Sequence, residues 1–237
     1  MARVGSAEGV AAFAGLIADP TRAAFCLALL DGRAWTAGEL ARHAGVAAST
    51  ATEHLNRMLA GGLVVERRQG RHRYVELAGP DVAHLVEDLA ARAPSVSVRP
   101  TTLRAATATA ALARGRTCYD HLAGRLGVAV TDALAGQGLL DRDGGLALTA
   151  AGRAWLGTRL DVEAADLRSG RRPLARACLD WTERRPHLAG LAGARVCERL
   201  LARRWIVRIG SGRAVRVTPG GATALRDLLG LDAAALG

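Results

Sequence analysis

The stretch that decides the fold of the N-terminal part covers residues 36–77 and reads TAGELARHAGVAASTATEHLNRMLAGGLVVERRQGRHRYVEL. Thr36 and Glu39 have the spacing of a capping box at a helix start, and Gly45 is a typical helix end. A second helix is expected over residues 49–61, followed by two short strands around a tight, glycine-containing turn. Helix, turn, helix and hairpin in this order predict a winged helix-turn-helix.

The second of these helices has the side chains that a DNA-reading helix needs. Short polar residues stand near its start, and the alanines between them allow the backbone to approach the major groove closely. The candidate base contacts are Ser49, Thr50, Thr52, Glu53, His54 and Arg57. Ser49 is also expected to cap the helix. An ordinary amphipathic helix pair would show the same periodicity, but not the basic hairpin that follows it.

The hairpin itself supplies candidate contacts to phosphates or to the minor groove. They are Arg67, Arg68, Arg71, His72 and Arg73. Further helices are expected on both sides of the motif. Residues 9–18 form one, a second begins at Pro20 with Asp19 as its N-cap, and a last one opens at Pro80.

Several motifs in this part resemble the ArsR-type repressors over residues 9–91. They are Asp19-Pro20-Thr21-Arg22, Leu29-Leu30-Asp31-Gly32, Glu39-Leu40-Ala41, His54-Leu55, Gly62-Leu63-Val64 and Gly70-Arg71-His72-Arg73-Tyr74. The resemblance implies a dimeric winged-helix repressor whose first and last helices form the dimer interface. It also implies that an inducer releases the protein from DNA.

The spacing is most similar to the cadmium- and lead-sensing branch of that family, yet the thiolate positions of the family are empty. The helix over residues 39–43 has no cysteine, and Arg57 and Gly61 stand where the cadmium branch has its cysteines. We therefore expect no cadmium or lead site within residues 1–93, and no cofactor that the family's ligand positions would support.

The composition of the whole chain excludes several classes of protein. Hydrophobic residues make up 50% of the 237 residues, which rules out a largely disordered or fibrous chain. No apolar stretch is long enough for a membrane span, and no signal peptide is expected. The chain is therefore expected to be cytoplasmic with reduced cysteines. No catalytic motif stands out, so we do not expect an enzyme.

The positive charge is concentrated in one segment. The formal net charge is +10, and residues 168–216 contain 13 Arg against three Asp or Glu. Such a segment favours a polyanion as partner, and DNA is the natural candidate. The candidate extra DNA contacts are Arg195, Arg199, Arg203, Arg208, Arg213 and Arg216. The alternative is a solvated arginine-rich face without a ligand.

The second half of the chain contains an internal repeat. RTCYD at residues 116–120 returns as RACLD at 176–180, and HLAG at 121–124 returns at 187–190 after a six-residue insertion. Each copy is expected to read helix, helix, turn, strand, strand. The predicted fold class is mainly α with small β-hairpins (α+β), with a winged helix-turn-helix followed by two tandem winged-helix-like repeats. The predicted domains are residues 1–93, a linker at 94–100, and repeats at 101–167 and 168–237.

The duplicated cysteine and histidine are the sharpest chemical signal of the repeat. The candidate sensing residues are Cys118, Asp120, His121, Cys178, Asp180 and His187, which could face one another across a pseudo-twofold axis. Thiolate, imidazole and carboxylate are metal ligands, and a cysteine beside Arg116 or Arg176 could act as a redox sensor. The third interpretation is that the cysteines pack in a core while Asp and His cap helices.

Together these features predict a sequence-specific, DNA-binding transcriptional regulator. We expect a dimeric repressor that an unknown ligand or redox signal releases from DNA. One alternative is a metal-responsive repressor that uses Cys118 and Cys178, and another is a nonspecific, nucleoid-type DNA-binding protein. The expected partners are double-stranded DNA, a second copy of the chain and a small-molecule or metal inducer, with no membrane.

Overall fold

The computed structural model describes residues 6–70, 72–94, 103–168, 172–210 and 212–232. The chain divides into two compact units, residues 1–87 and 88–237. The division falls within a helix, Pro80–Arg92, that precedes the predicted linker. Of that linker, residues 95–100 lie outside the described residues.

The first unit follows the order expected of a winged helix-turn-helix. Its elements are α1 (Ala7–Ile17), α2 (Pro20–Leu29), β1 (Trp35–Thr36), α3 (Ala37–Ala44), α4 (Ala48–Ala60), β2 (Val64–Gln69), β3 (His72–Leu77) and α5 (Pro80–Arg92), the last of which continues into the second unit. The strands form an antiparallel sheet in the order β1-β3-β2, with Gln69 opposite His72 at the tip of the hairpin. The predicted winged helix-turn-helix is confirmed.

Local sequence signals set the ends of the first helices. The Asp19 carboxylate accepts a hydrogen bond from the Arg22 backbone N–H at 2.9 Å and caps α2. The Thr36 hydroxyl accepts from the Glu39 backbone N–H at 3.2 Å, and the Glu39 carboxylate accepts from the Thr36 N–H at 2.8 Å. Both predicted caps are confirmed. Gly45 then ends α3 with a φ of 68°, a left-handed conformation that glycine adopts without strain.

The predicted cap of α4 is wrong. The helix begins at Ala48, so its N-cap is Ala47, which offers no side-chain hydrogen bond. Ser49 lies within the first turn, because the extended N-cap residue is Ala47 and the helical conformation starts two residues earlier than a capping Ser49 would require. The turn is held instead by packing, since Ala51, Leu55 and Met58 of the same helix are buried.

The second unit alternates hairpins and helices. Its elements are α6 (Leu103–Arg114), β4 (Arg116–Cys118), β5 (His121–Ala123), α7 (Gly124–Gly136), β6 (Leu140–Asp141), β7 (Ala147–Leu148), α8 (Ala150–Leu160), a short 3-10 helix (Ala164–Leu167), β8 (Arg176–Leu179), β9 (Pro186–Ala189), α9 (Gly190–Ala202), β10 (Ile206–Arg208), β11 (Val215–Val217) and α10 (Pro219–Leu229). The order hairpin, helix, hairpin, helix occurs twice.

The expectation that each repeat opens with two helices is wrong. Strands β4 and β5 form a hairpin whose two-residue turn is Tyr119-Asp120, with Tyr119 in the left-handed region at φ 59°. Asp120 therefore stands in a tight turn and not at a helix start. All six residues of the two strands are buried, and a buried pair of short strands satisfies its backbone groups by cross-strand pairing.

The halves predicted as two repeats contribute to one hydrophobic core. Leu126 and Leu134 of α7 lie in the same buried cluster as Val196 and Leu200 of α9 and Ile206 of β10.

Among the described residues, no single helix is long and apolar enough to cross a bilayer. The α1 and α2 pair meets that length and composition test only jointly, and is bent by 80°.

Candidate nucleic-acid interface and buried cysteine–histidine cluster

The exposed face of α4 carries most of the predicted base-contacting residues. Ser49, Thr50 and Thr52 are exposed at its N-terminal end. The Thr52 hydroxyl donates to the Ala48 carbonyl at 2.9 Å. One turn further, the Arg57 guanidinium pairs with the Glu53 carboxylate at 2.8 Å, and about two thirds of each side chain is exposed. This ion pair holds Arg57 extended along the helix without withdrawing it from solvent.

His54 lies on the inner side of α4, which corrects its prediction as a base contact. Its Nδ1 is 3.2 Å from an Arg22 guanidinium nitrogen and 3.8 Å from the Asp19 carboxylate. Its ring meets that of Phe25 edge to face, with 6.5 Å between ring centroids. Because only 17% of the His54 side chain is exposed, it joins α4 to α2 and contributes to the fold.

The hairpin of β2 and β3 presents its arginines in ion pairs that remain on the surface. Arg67 pairs with Glu76 across the hairpin at 2.6 Å, and Arg68 pairs with Glu66 at 2.8 Å. The two arginine side chains are 72% and 80% exposed. His72 is exposed as well. Exposed pairs of this kind are weak, so the arginines can exchange a carboxylate for a DNA phosphate at little cost.

Arg73 connects the hairpin to α4, a role that the sequence alone does not reveal. Its guanidinium donates to Glu66 at 2.5 Å and to the side-chain oxygen of Asn56 at 3.3 Å. Asn56 is therefore a positioning residue that the sequence analysis missed, and an exposed asparagine on the predicted recognition helix was the available signal. Arg71, which was also predicted to contact DNA, lies outside the described residues.

The arginines of the basic segment divide into two groups. On α9, Arg195 pairs with Glu198 at 2.5 Å and Arg199 approaches Asp166 at 3.8 Å. Arg203 pairs with Asp161 and lies over the Trp205 ring at 4.8 Å. These contacts give the three side chains partners inside the second unit.

The remaining candidates of that segment lie in or beside the hairpin of β10 and β11. Arg208 and Arg216 are exposed, and Arg213 is half-buried. The carbonyl of Arg213 accepts a hydrogen bond from the Thr117 N–H at 2.9 Å. Arg208 and Arg216 are thus better placed for a partner in solution than the α9 arginines.

Four buried residues from two distant hairpins meet in the second unit, and we call them the Cys/His cluster. They are Cys118, His121, Cys178 and His187. In each hairpin the cysteine and histidine are cross-strand neighbours, Cys118 opposite His121 and Cys178 opposite His187. The six-residue insertion adds the pair Leu179–Pro186 and a longer turn beyond it, and the pairing of Cys178 with His187 matches that of Cys118 with His121.

The ligand atoms of the cluster lie close together. The two sulfur atoms are 3.9 Å apart, and the imidazole rings stack with 5.1 Å between their centroids. Both sulfurs and one ring nitrogen from each histidine fall within 4.8 Å of one another. The cysteines are 2% and 8% exposed and the histidines 1%, so the site is closed to bulk water.

Each histidine of the cluster faces an aspartate through Nδ1. His121 Nδ1 is 3.2 Å from Asp120, and His187 Nδ1 is 3.7 Å from Asp180. An arginine anchors each carboxylate: Arg172 at 2.6 Å from Asp120, and Arg116 at 3.0 Å from Asp180. The sequence predicts both aspartates as direct candidates, whereas the structure places them behind the histidines. Their pairing with Arg172 and Arg116 has no signal in the sequence.

The environment of the cluster favours charge separation within it. A hydrogen bond from Cys118 lowers the pKa of the Cys178 thiol well below its ordinary value, despite burial, and both histidines add to this effect. Burial opposes a charge on His121, but its contacts with Asp120 and Cys178 raise its pKa above the ordinary value. The cluster therefore stabilises a thiolate beside an imidazolium.

The other two cysteines have the opposite environment. Burial raises the pKa of the Cys26 thiol to about 11 and that of Cys197 to about 12. Both side chains are almost fully buried among apolar neighbours. They are protonated core thiols at neutral pH, and none of the four cysteines, all within the described residues, forms a disulfide.

The helix pair and basic hairpin of the first unit define a winged helix-turn-helix protein of the class that binds DNA. A family model described as a helix-turn-helix domain matches residues 17–67. The uncharacterized HTH-type transcriptional regulator YdfF of Bacillus subtilis (strain 168) is 39% identical over 221 residues, which cover 93% of this chain and 96% of YdfF. The chain belongs to the HTH-type transcriptional regulators and is a DNA-binding transcriptional regulator.

Shorter similarities cover less than half of the chain. The HTH-type transcriptional regulator CmtR of Mycobacterium bovis is 38% identical over 73 residues, 31% of this chain and 61% of CmtR. A solved structure, the cadmium metal-sensor CMTR from Mycobacterium tuberculosis, is 31% identical and covers 40% of this chain and 99% of its own, with a TM-score of 0.32. YdfF, in contrast, is similar over the second unit as well.

Proposed function

We propose that this regulator is a dimeric repressor that reads an operator with α4 and contacts the flanking phosphates with the hairpin of β2 and β3. The observation that carries the proposal is the exposed N-terminal face of α4. Thr50 stands there without bulky apolar neighbours, and Arg57 reaches outward one to two turns later. Short polar side chains at the start of a recognition helix fit the major groove, and arginine reads guanine through two hydrogen bonds.

Apolar surface on the first unit supports a dimer. None of the eleven residues of α1 is buried, although the helix is mostly apolar. Val10 is 65% exposed, Leu27 47% and Leu85 38%. Apolar surface of this kind is usually covered by a partner, and the ArsR resemblance assigns the first and last helices to that role. A twofold dimer reads an inverted repeat, with half-site centres about 34–36 Å apart.

The second unit is the proposed receiver of the inducing signal. It carries the Cys/His cluster, which is buried and chemically distinct from the DNA-reading surface. The thiolate positions that the ArsR resemblance implies are empty in the first unit, so a signal that uses thiols would have to act through other cysteines. We propose a regulatory role and no catalytic one, because the relatives are transcriptional regulators.

The proposed function is tested by binding to the DNA that flanks the gene of this protein. Fluorescence anisotropy with that DNA, and with a scrambled sequence of equal length, should show tighter binding to the natural sequence. A nonspecific, nucleoid-type protein would bind both equally, because its affinity is almost wholly electrostatic. We also expect an inverted repeat in the DNA segment that the protein binds, and we expect the protein to be a dimer in solution.

Single substitutions then identify the reading residues. Thr50→Ala and Arg57→Ala should each weaken operator binding by about 1–3 kcal/mol while scrambled DNA is bound as before. Arg68→Ala should weaken both DNAs, because a phosphate contact does not depend on sequence. Arg226→Ala, an exposed change in α10 of the second unit, is the matched control. Unchanged operator binding by a Thr50→Ala, Arg57→Ala double variant would contradict the assignment of α4.

A further inference from the structure

We propose that the Cys/His cluster is a four-coordinate site for one Zn2+ ion per chain. The proposal concerns the second unit alone and does not depend on DNA binding. The first argument is the choice of side chains. Two thiolates and two imidazoles are a standard ligand set for tetrahedral zinc, and a site with four protein ligands is closed and non-catalytic.

The second argument is geometric. Two thiolates bound to zinc at 2.3 Å in a tetrahedron stand about 3.8 Å apart. The sulfur atoms of Cys118 and Cys178 are 3.9 Å apart, close to that value. They are also far from the ~2.05 Å of a disulfide. A nitrogen from each histidine is already within 4.8 Å of both sulfurs, so small side-chain movements close the coordination sphere.

The third argument is the support behind the histidines. A zinc-bound histidine usually presents its second ring nitrogen to a carboxylate, which fixes the tautomer and the ring orientation. His121 Nδ1 is 3.2 Å from the Asp120 carboxylate, within hydrogen-bond distance, so this histidine has such a supporting carboxylate and Nε2 is assigned as its metal-binding nitrogen. His187 Nδ1 is 3.7 Å from Asp180, near a carboxylate but beyond hydrogen-bond distance.

The fourth argument is charge. A dication with two thiolates and two neutral imidazoles has no net charge, so it can occupy a closed site without the large cost of an isolated buried ion. Binding releases the thiol protons to solvent.

The test uses the full chain, stripped of metal with a chelator and kept reduced. Titration with Co2+, a spectroscopic stand-in for Zn2+, should give the visible bands of tetrahedral cobalt and a near-ultraviolet thiolate charge-transfer band. Both should saturate at one equivalent per chain, and Zn2+ should then displace the cobalt. Cys118→Ser and Cys178→Ser should abolish the charge-transfer band or reduce the affinity sharply. Cys26→Ser and Cys197→Ser, matched changes at buried thiols outside the cluster, should keep both.

A further variant separates coordination from folding. Asp120→Asn keeps all four ligands and should lower the affinity for the metal roughly 10- to 100-fold, as loss of such a supporting carboxylate does. Circular dichroism checks that each variant is folded. If a serine variant is unfolded, the variant His187→Gln is measured in its place.

Three results would overturn the zinc site. The first is a folded, reduced chain that takes up no Co2+ or Zn2+. The second is a set of cobalt bands that persists when both cluster cysteines are serine. The third is a Cys118–Cys178 disulfide, formed by added diamide, which takes up the two hydrogens lost from the thiols, and seen as a mass loss of two hydrogens, that forms as fast with saturating Zn2+ as without it. That last result would favour the redox interpretation of the same residues.

Discussion

Arg116 and Asp180 form an ion pair 3.0 Å long in which neither side chain is more than 1% exposed. The Asp180 carboxylate also accepts hydrogen bonds from the Gly124 N–H at 2.6 Å and the Thr182 N–H at 2.9 Å. The guanidinium lies over the Trp181 ring at 4.7 Å. One ion pair therefore joins the first hairpin of the second unit, β4 and β5, to the turn between β8 and β9.

Removing one partner of this pair should strongly destabilise the second unit. Asp180→Asn leaves a buried guanidinium without its counter-charge, and such changes cost about 3–5 kcal/mol. The matched control is Asp132→Asn, which breaks an exposed pair with Arg185 and should cost at most about 1 kcal/mol. Urea denaturation of both variants measures the difference. If Asp180→Asn is no more harmful than Asp132→Asn, the buried pair does not hold the unit together.

A second prediction separates the true helix cap from the mistaken one. Thr36→Ala should lower the free energy of unfolding of the first unit by about 1 kcal/mol, because it removes half of a capping box. Ser49→Ala should change it by less than about 0.5 kcal/mol, since Ser49 is an exposed residue inside the first turn. Thermal unfolding of the two variants decides this, and equal losses would restore Ser49 as a cap.

The sequence predicted the first unit well because its signals are local. The capping residues at Asp19 and Thr36 and the stop at Gly45 lie within a few residues of the ends they specify. The start of α4 was misplaced by one residue, because Ala47 gives no side-chain signal and a serine two positions on resembles a cap. Secondary structure that depends on short-range hydrogen bonds can be predicted from the sequence.

The second unit was harder to predict because its pairings are distant. The duplicated motif showed that Cys118 and Cys178 have corresponding positions, but spacing alone could not decide between helices and strands. The hairpin of β4 and β5 is only three residues on each side, and it is held by burial against another part of the chain. Arg116 and Asp180 are 64 residues apart in the sequence, so no local sequence pattern indicates that they pair.

The role of His54 gives a third prediction. His54→Ala should lower the stability of the first unit by about 1–3 kcal/mol, because it leaves the partly buried Arg22 guanidinium without one of its partners. The ratio of affinities for operator and scrambled DNA should stay near that of the unaltered protein. Thr50→Ala should behave in the opposite way, with stability kept and the ratio reduced. A loss of specificity without loss of stability in His54→Ala would place this side chain in the groove.

Two adjacent glycines at the start of α10 allow a sharp test of packing in the second unit. A Cβ at Gly221 would lie 1.9 Å from the carbonyl oxygen of Trp205, a contact that backbone atoms cannot relieve cheaply. Gly221→Ala should therefore destabilise by about 1–3 kcal/mol or more. A Cβ at Gly220 meets nothing within 4 Å, so Gly220→Ala should be neutral or stabilise by up to about 1 kcal/mol. Denaturant midpoints compare the pair, and similar values would mean that α10 does not pack as closely as described.

The last prediction concerns the arginines of the basic segment. Arg208 and Arg216 are exposed, whereas Arg195 and Arg199 face the carboxylates of Glu198 and Asp166. A phosphate contact releases counterions, so each one lost should flatten the slope of log affinity against log salt by roughly 0.9. The double variant Arg208→Gln, Arg216→Gln should therefore weaken binding to every DNA equally and reduce the slope by up to roughly twice that amount.

The matched control is Arg195→Gln with Arg199→Gln, which removes the same charge from side chains that already have acidic partners. Its effect on the slope should be small, because those arginines would have to give up their carboxylates before they could release counterions from DNA. Affinity is measured by anisotropy over a series of salt concentrations. If the Arg208 and Arg216 double variant keeps the slope of the unaltered protein, the two side chains do not touch DNA. The basic segment is then a solvated face whose charges serve only the second unit.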